Sequence, residues 1–314
     1  MKNVICVGIF ALCASARLFA QNESQVSQYM FNQVLFNPAC AGDGDMVDAR
    51  YVQRMQYMGF DGAPSTWSLG LSSPFKLFDA NHGVVVTFGG DKIGNFDNTS
   101  FGVGYAYRHR LKGGDLLSAG VSLGGLSYEL RAPSEWSAYS DDPAIPQRAE
   151  SASTGFSVTL GAFYDRNDFY VGFSCSHLNQ PRVLTVDSGD KTFTVKRTFY
   201  LNGGYRWQTS SESFRVDPTA LLMFTAIGKP QLGVGANVFY EKRYWGGLAY
   251  RIGDALGAMG GMTVGEAFRL GVAYEYPLSK LIAASGGNLE MFIAYSFEVK
   301  FTKRVKKYKS IRFL

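Results

Sequence analysis

The sequence predicts a transmembrane antiparallel β-barrel of about fourteen strands, and three observations predict it. From residue 66 onward, runs of roughly ten residues alternate apolar or aromatic side chains with small or polar ones, and then turn. The second face of each run is mostly Gly, Ser and Ala, the chemistry of a lumen, which leaves the apolar face to meet lipid. The connections between runs alternate, long on one side and short on the other, an asymmetry that a soluble sandwich has no reason to show.

Each element follows in order. Residues 1–20 read as a secretory signal: Lys2, the apolar run Val4 to Leu12, then small residues. Cleavage after Ala16 and cleavage after Ala20 both fit. The residues before Cys13 lack the small side chain that a lipidated Cys needs, so no lipid anchor is predicted. Residues 21–48 have no period of either kind and carry Asn37-Pro38 and Asp43-Gly44-Asp45. They read as a periplasmic segment or a plug of the lumen, with a floppy leader as the bland alternative.

The barrel is expected over residues 49–299, with strands at 49–56, 66–72, 83–90, 99–109, 115–126, 153–164, 168–176, 198–208, 214–225, 231–240, 244–252, 255–264, 267–276 and 288–298. In the fourth, Phe101, Val103, Tyr105 and Tyr107 alternate with Gly102, Gly104, Ala106 and Arg108; in the last, Leu289, Met291, Ile293, Tyr295 and Phe297 keep the same rhythm. An even strand number leaves both termini on one side. The outward connections average about 12 residues and the inward ones about 5, with a long inner turn at 73–82 and a short outer one at 253–254 as exceptions. Tyr105 and Tyr107, Tyr164 and Phe169, Tyr205 and Trp207, Tyr240 with Tyr244-Trp245, and Tyr274 with Tyr276 sit near strand ends, as interfacial girdles do. The Gly-rich stretch from Gly246 to Gly261 reads as a small-residue lumen face, or as a wall on which a plug leans.

Composition narrows the function. Charged residues are 18% of the chain and hydrophobic ones 46%, and no apolar run after the N-terminus is long enough for a spanning helix. The net charge of +5 is carried by a tail: Lys300, Lys303, Arg304, Lys306, Lys307, Lys309 and Arg312 lie in residues 300–314 without an acidic residue, and without these seven the net charge is −2. Such a tail is either a binding element for an anionic partner or a solubilising end.

Catalytic and metal-binding patterns are not apparent. His82, His109 and His177 have no second ligand at metal spacing, and neither a phosphate-binding loop nor a nucleophile elbow occurs. Asp141-Asp142 and Asp187 with Asp190 read as solvated loop acids rather than a calcium site. Neither cofactor nor metal is predicted, and nucleic acid is a poor partner for an exported barrel. Cys40 and Cys175 remain after signal removal. Cys175 reads as a small lipid-facing residue, and a disulfide between the two is left open.

Several strings resemble the PorP/SprF family of outer-membrane proteins. Ser27 to Asn32, with Tyr29, Met30 and Asn32, leads into Asn37-Pro38-Ala39-Cys40-Ala41-Gly42, where Cys40 stands for the usual Tyr. Arg54 to Pro64 is similar to a second block through Gly59, Phe60, Gly62 and Pro64, with Met55 and Tyr57 as substitutions. Asp91 to Gly94, His177 to Pro181, Tyr250-Arg251 through Asp254, Tyr274-Glu275 and Gly286 to Glu290 continue the resemblance in order. It implies a cell outer-membrane, non-enzymatic accessory of type IX secretion or the linked gliding machinery. Its partners would be periplasmic ring lipoproteins, other secretion components and secreted cargo. The alternative is an outer-membrane channel for small, hydrophobic molecules.

Overall fold

The computed structural model describes residues 25–78, 80–131, 150–184, 192–225, 228–279 and 285–298. The signal region, the loop acids at 141–142 and 187–190 and the basic tail lie outside the described residues.

Fourteen strands close into one antiparallel barrel. They are β1 (Val47–Met55), β2 (Ser65–Leu77), β3 (Ala80–Ile93), β4 (Phe96–Arg110), β5 (Leu116–Arg131), β6 (Glu150–Asp165), β7 (Phe169–Ser176), β10 (Thr198–Tyr205), β12 (Phe214–Thr225), β13 (Gln231–Tyr240), β14 (Tyr244–Arg251), β15 (Ala255–Val264), β16 (Phe268–Pro277) and β17 (Asn288–Phe297). A short hairpin, β8 (Arg182–Leu184) with β9 (Thr192–Thr194), lies between β7 and β10, and β11 (Trp207–Gln208) prolongs β10 along β12. Each strand pairs with its sequence neighbours, and β1 closes the ring on β17 from Val47↔Phe297 to Met55↔Leu289. Closure removes the unpaired edges that a sheet in lipid cannot leave unsatisfied.

All fourteen predicted strands are present, and several are longer than their alternation suggested. β2 runs to Leu77 and β3 begins at Ala80, so most of the predicted ten-residue inner turn at 73–82 is strand; β3 and β4 likewise consume most of 91–98. The apolar period fades there, but ladder hydrogen bonding continues into the interfacial zone. At the inner end the longest connections are now 111–115 and 209–213, whereas the opposite end carries 56–64, 177–197 and 278–287.

The two faces separate as the alternation requires. Phe101, Val103, Leu123, Phe156, Leu248 and Ile293 point outward and are exposed, while Ala106, Ser118, Asn202, Asn237 and Ala294 are buried against the lumen. Tyr105, Tyr107, Tyr205, Trp207, Tyr240 and Tyr244 are exposed near the short-turn end. Trp245 departs from the girdle assignment: one residue after outward Tyr244, it points into the lumen and is buried. Cys40 and Cys175 are both free and buried. Cys40 lies in the lumen, whereas Cys175 shares a face with outward Val171 and Phe173, so the wall separates the thiols. Contrary to a lipid-facing role, Cys175 is 6% exposed.

Candidate functional site

The lumen is occupied by the chain's own N-terminal segment. Residues 25–45 enter beside the long-loop end, descend in three 3-10 turns (Tyr29–Phe31, Gln33–Leu35, Pro38–Cys40) and leave at the short-turn end, where β1 begins. Contacts trace the descent. Arg251 donates to Gln25 near the top of β14, Tyr29 Oη donates to Thr219 midway down β12 at 3.0 Å, and Arg108 pairs with Asp43 near the foot of β4. A 3-10 turn leaves backbone groups unpaired, so a plug of this kind needs side-chain and wall partners. Asn37 supplies one at each end: its side chain accepts from Ala39 N at 3.0 Å and donates to Ala162 O of β6 at 3.1 Å.

The plug fits because the wall carries glycine where the two approach most closely. A Cβ at Gly120 would lie 2.7 Å from Ala39 Cα, and one at Gly83 would lie 2.7 Å from Gly42 N. Gly161 and Gly172 meet Asn37, and Gly271 meets Gln28. The glycines of β14 and β15 instead make room for Asn237 and Trp245 and for neighbouring backbone. The Gly246 to Gly261 stretch is therefore a small lumen face, and the plug leans chiefly on β3 to β7. Apolar packing completes the seat: Phe31 stacks on Phe292 at 5.6 Å and packs against Trp245, and Phe36 stacks on Tyr200 at 5.2 Å.

An ionic cluster holds the top of the plug. Arg54 of β1 bridges Glu275 of β16 at 2.6 Å and Glu290 of β17 at 3.2 Å, and Arg251 of β14 bridges Glu275 at 2.7 Å and Asp254 at 2.8 Å. Arg54 and Glu290 are each 1% exposed, so their charges must be met by partners, since an uncompensated ion in such a site is costly. Two arginines against three carboxylates leave a negative excess. The plug answers it: Ser27 N and Gln28 N donate to Glu290 at 2.6 and 2.8 Å, and Ser27 Oγ donates to Glu275 at 2.7 Å. Arg54 in turn donates to Ser27 Oγ at 2.5 Å. Asn288 links the cluster to the loop above, donating to Glu275 at 3.2 Å and accepting from Tyr57 N at 2.9 Å. Partial burial and nearby Asp254 raise the Tyr57 hydroxyl above its ordinary range.

The family-like strings are thereby placed. Tyr29, Met30, Asn32, Asn37, Pro38, Ala39 and Gly42 form the plug, with Gln28, Asn32 and Asn37 fully buried. Gly59, Phe60, Gly62 and Pro64 lie in the 56–64 loop over the long-loop end, where Gly62 O accepts from Gly94 N at 2.9 Å. Arg54, Arg251, Asp254, Glu275 and Glu290, drawn from four separate strings, converge on one cluster that sequence reasoning did not assemble. Only the recurrence of unpaired charges on lumen-facing positions hinted at it.

The structure also joins Ser157 and His177, two residues not paired from sequence: Ser157 Oγ lies 2.8 Å from His177 Nδ1, both buried. The same string seats the loop after β7 on β6, since Asn179 accepts from Val158 N and donates to Phe156 O. Cavities of about 200 and 190 Å³ adjoin beside the plug, sharing Leu35, Phe36, Ser68 and Ser100 in their linings. Among the described residues, no group of three or more His, Cys, Asp or Glu is placed to hold a metal.

A family model described as type IX secretion system membrane protein PorP/SprF matches residues 18–295. No curated protein sequence matches the chain. Among solved structures, the toluene transporter TbuX of Ralstonia pickettii is similar at 12% identity and a TM-score of 0.52, over 85% of this chain and 93% of that one. The CymD monoaromatic hydrocarbon channel is similar at 12% identity and a TM-score of 0.50, over 90% of this chain and 95% of that one. At such identity the likeness concerns the barrel fold alone.

Proposed function

Because the chain belongs to the PorP/SprF family of type IX secretion system membrane proteins, we propose that it serves that machinery as a plugged, non-enzymatic scaffold. It is an outer-membrane β-barrel. The barrel fixes position in lipid, the short-turn end and basic tail engage periplasmic ring proteins, and the long loops meet cargo or surface partners. The observation that carries this reading is the plug, seated by a buried ionic cluster and by glycines that admit no side chain. A lumen filled in this way favours anchoring over free diffusion. Ser157 and His177 fit the same reading as a brace for the β7–β10 loop.

Cross-linking and pull-down from intact envelopes tests it. Ring lipoproteins should co-purify with the chain, and deletion should impair export of cargo. Neutralising Lys303, Arg304, Lys306 and Lys307 should weaken that recovery in a salt-sensitive manner. Unchanged recovery across a salt series would remove the tail from the mechanism, and absence of ring proteins would remove the scaffold.

One observation favours a second reading, a channel for small hydrophobic molecules. The cavity between the plug and β10–β16 is lined by Tyr200, Leu221, Met223 and Val234, beside the polar Gln25 and Gln231 and the charged Arg251 and Glu275. Substrate-dependent uptake by the isolated, reconstituted barrel would support it; the scaffold predicts none.

A further inference from the structure

Beneath the plug, a cavity of about 430 Å³ opens at the short-turn end of the lumen. Its lining carries five cations, Arg50, Arg206, Arg215, Lys242 and Arg269, against two carboxylates, Asp43 and Asp217. The carboxylates are engaged. Asp217 takes both Nε and Nη2 of Arg215, at 2.8 and 2.9 Å, and Asp43 accepts from Arg108. Arg206 pairs with Asp165 at 2.8 Å, and Asp48, just outside the lining, pairs with Arg50 and accepts from Ser296 Oγ. Arg269 is different. It sits opposite Ala294 on one side of β17 while Arg50 sits opposite the same Ala294 on the other, so two guanidinium groups rise from one patch of wall. Among the described residues the Arg269 side chain makes neither a hydrogen bond nor an ion pair, although it is partly buried; the nearby Asp48 carboxylate is already taken by Arg50 and Ser296.

From this geometry we infer that the cavity receives the carboxylates of an acidic peptide segment entering from the short-turn end, with Arg269 as the anchoring cation and Lys242 at the rim. Two partly desolvated guanidinium groups, Arg50 and Arg269, that share the single carboxylate of Asp48 are stabilised by a further anion. The remaining wall, with Phe31, Phe239, Trp245 and Met30, gives apolar and aromatic surface that a free inorganic anion would leave unused but that peptide side chains can cover. The closed sheet separates the cavity from lipid, which disfavours a lipid headgroup. The inference rests on the scaffold reading for the side from which the peptide comes, and it names the chemistry of the docked partner.

The test uses the full folded chain in non-ionic detergent and two fluorescein-labelled peptides: one rich in Asp, Glu and Leu, and its Asn/Gln isostere. Fluorescence anisotropy should report binding of the acidic peptide that weakens with salt and is lost in the isostere. Arg269→Gln should weaken binding by about tenfold or more, and Lys242→Gln, in an exposed turn, by about two- to threefold. Retained heat-modifiable migration confirms that each variant is folded, and Lys242→Gln decides if Arg269→Gln is not. Equal binding of the isostere, no binding, or affinity unchanged in the folded variants overturns the inference. Ring-protein recovery does not enter this assay. Peptide binding without ring proteins in envelopes would sink only the scaffold reading, and the converse would sink only this one.

Discussion

Arg54 shows how much one side chain decides in this lumen. It is the shared partner of Glu275 and Glu290, and all three are buried. Removing one member of such a cluster leaves charge stranded, at a cost of about 3–5 kcal/mol. Arg54→Ala should therefore release the plug: amides of residues 25–41 should lose hydrogen-exchange protection while the barrel still migrates as a heat-modifiable band. Arg54→Lys should fall between, because one ammonium nitrogen keeps the charge but lacks the two terminal nitrogens that reach Glu275 and Glu290 separately. The surface pair Arg166–Asp168, about half exposed on each side, is the contrast; Arg166→Ala should change stability by less than about 1 kcal/mol. The cluster was legible only as fragments. Arg54 meets partners 221 and 236 residues away, and no local spacing encodes that meeting.

At the scale of elements, the strands were readable as strands, whereas the plug was readable only as one of several roles for an aperiodic segment, for one physical reason. A strand with unlike faces writes its structure as a period of two, and β12, β13 and β15 have the bounds predicted for them. The plug is wrapped on every side, so its buried positions obey no period; Gln28, Asn32 and Asn37 are polar and wholly buried, their amide nitrogens donating to Glu290, Gln28 O and Ala162 O. Strand ends beyond the apolar band were likewise underestimated, since hydrogen bonding outlasts hydrophobic alternation in β2 and β3. The glycines of the wall turn this fit into a prediction. Gly120→Ala or Gly83→Ala places a methyl against plug backbone, which cannot give as a flexible side chain would. Either should expose residues 25–41 to limited proteolysis while the strands stay intact. Gly113→Ala, in a turn where an added Cβ meets nothing within 4 Å, should leave both unchanged.

For the whole molecule, the orientation of the two faces is the governing fact. Leu123, half exposed at the middle of β5, points to lipid, so Leu123→Arg should destabilise the reconstituted barrel by about 2–4 kcal/mol in denaturant titration. Ser122→Arg, on the lumen face, should disturb plug seating without that lipid penalty. The last consequence concerns the lumen itself. Closure through β1 and β17 gives a wall that does not use the plug for hydrogen bonding, so the barrel can outlast its removal. The plug, by contrast, divides the interior into separate cavities and supplies donors to Glu290 and Glu275. Deleting residues 25–41 should leave a heat-modifiable barrel whose interior is open and acidic at the long-loop end, from the newly uncovered carboxylates. In planar bilayers that variant should show cation-preferring conductance well above the intact protein. Matching conductances would mean that the plug does not set permeability, and would remove the filled lumen as support for the scaffold over the channel.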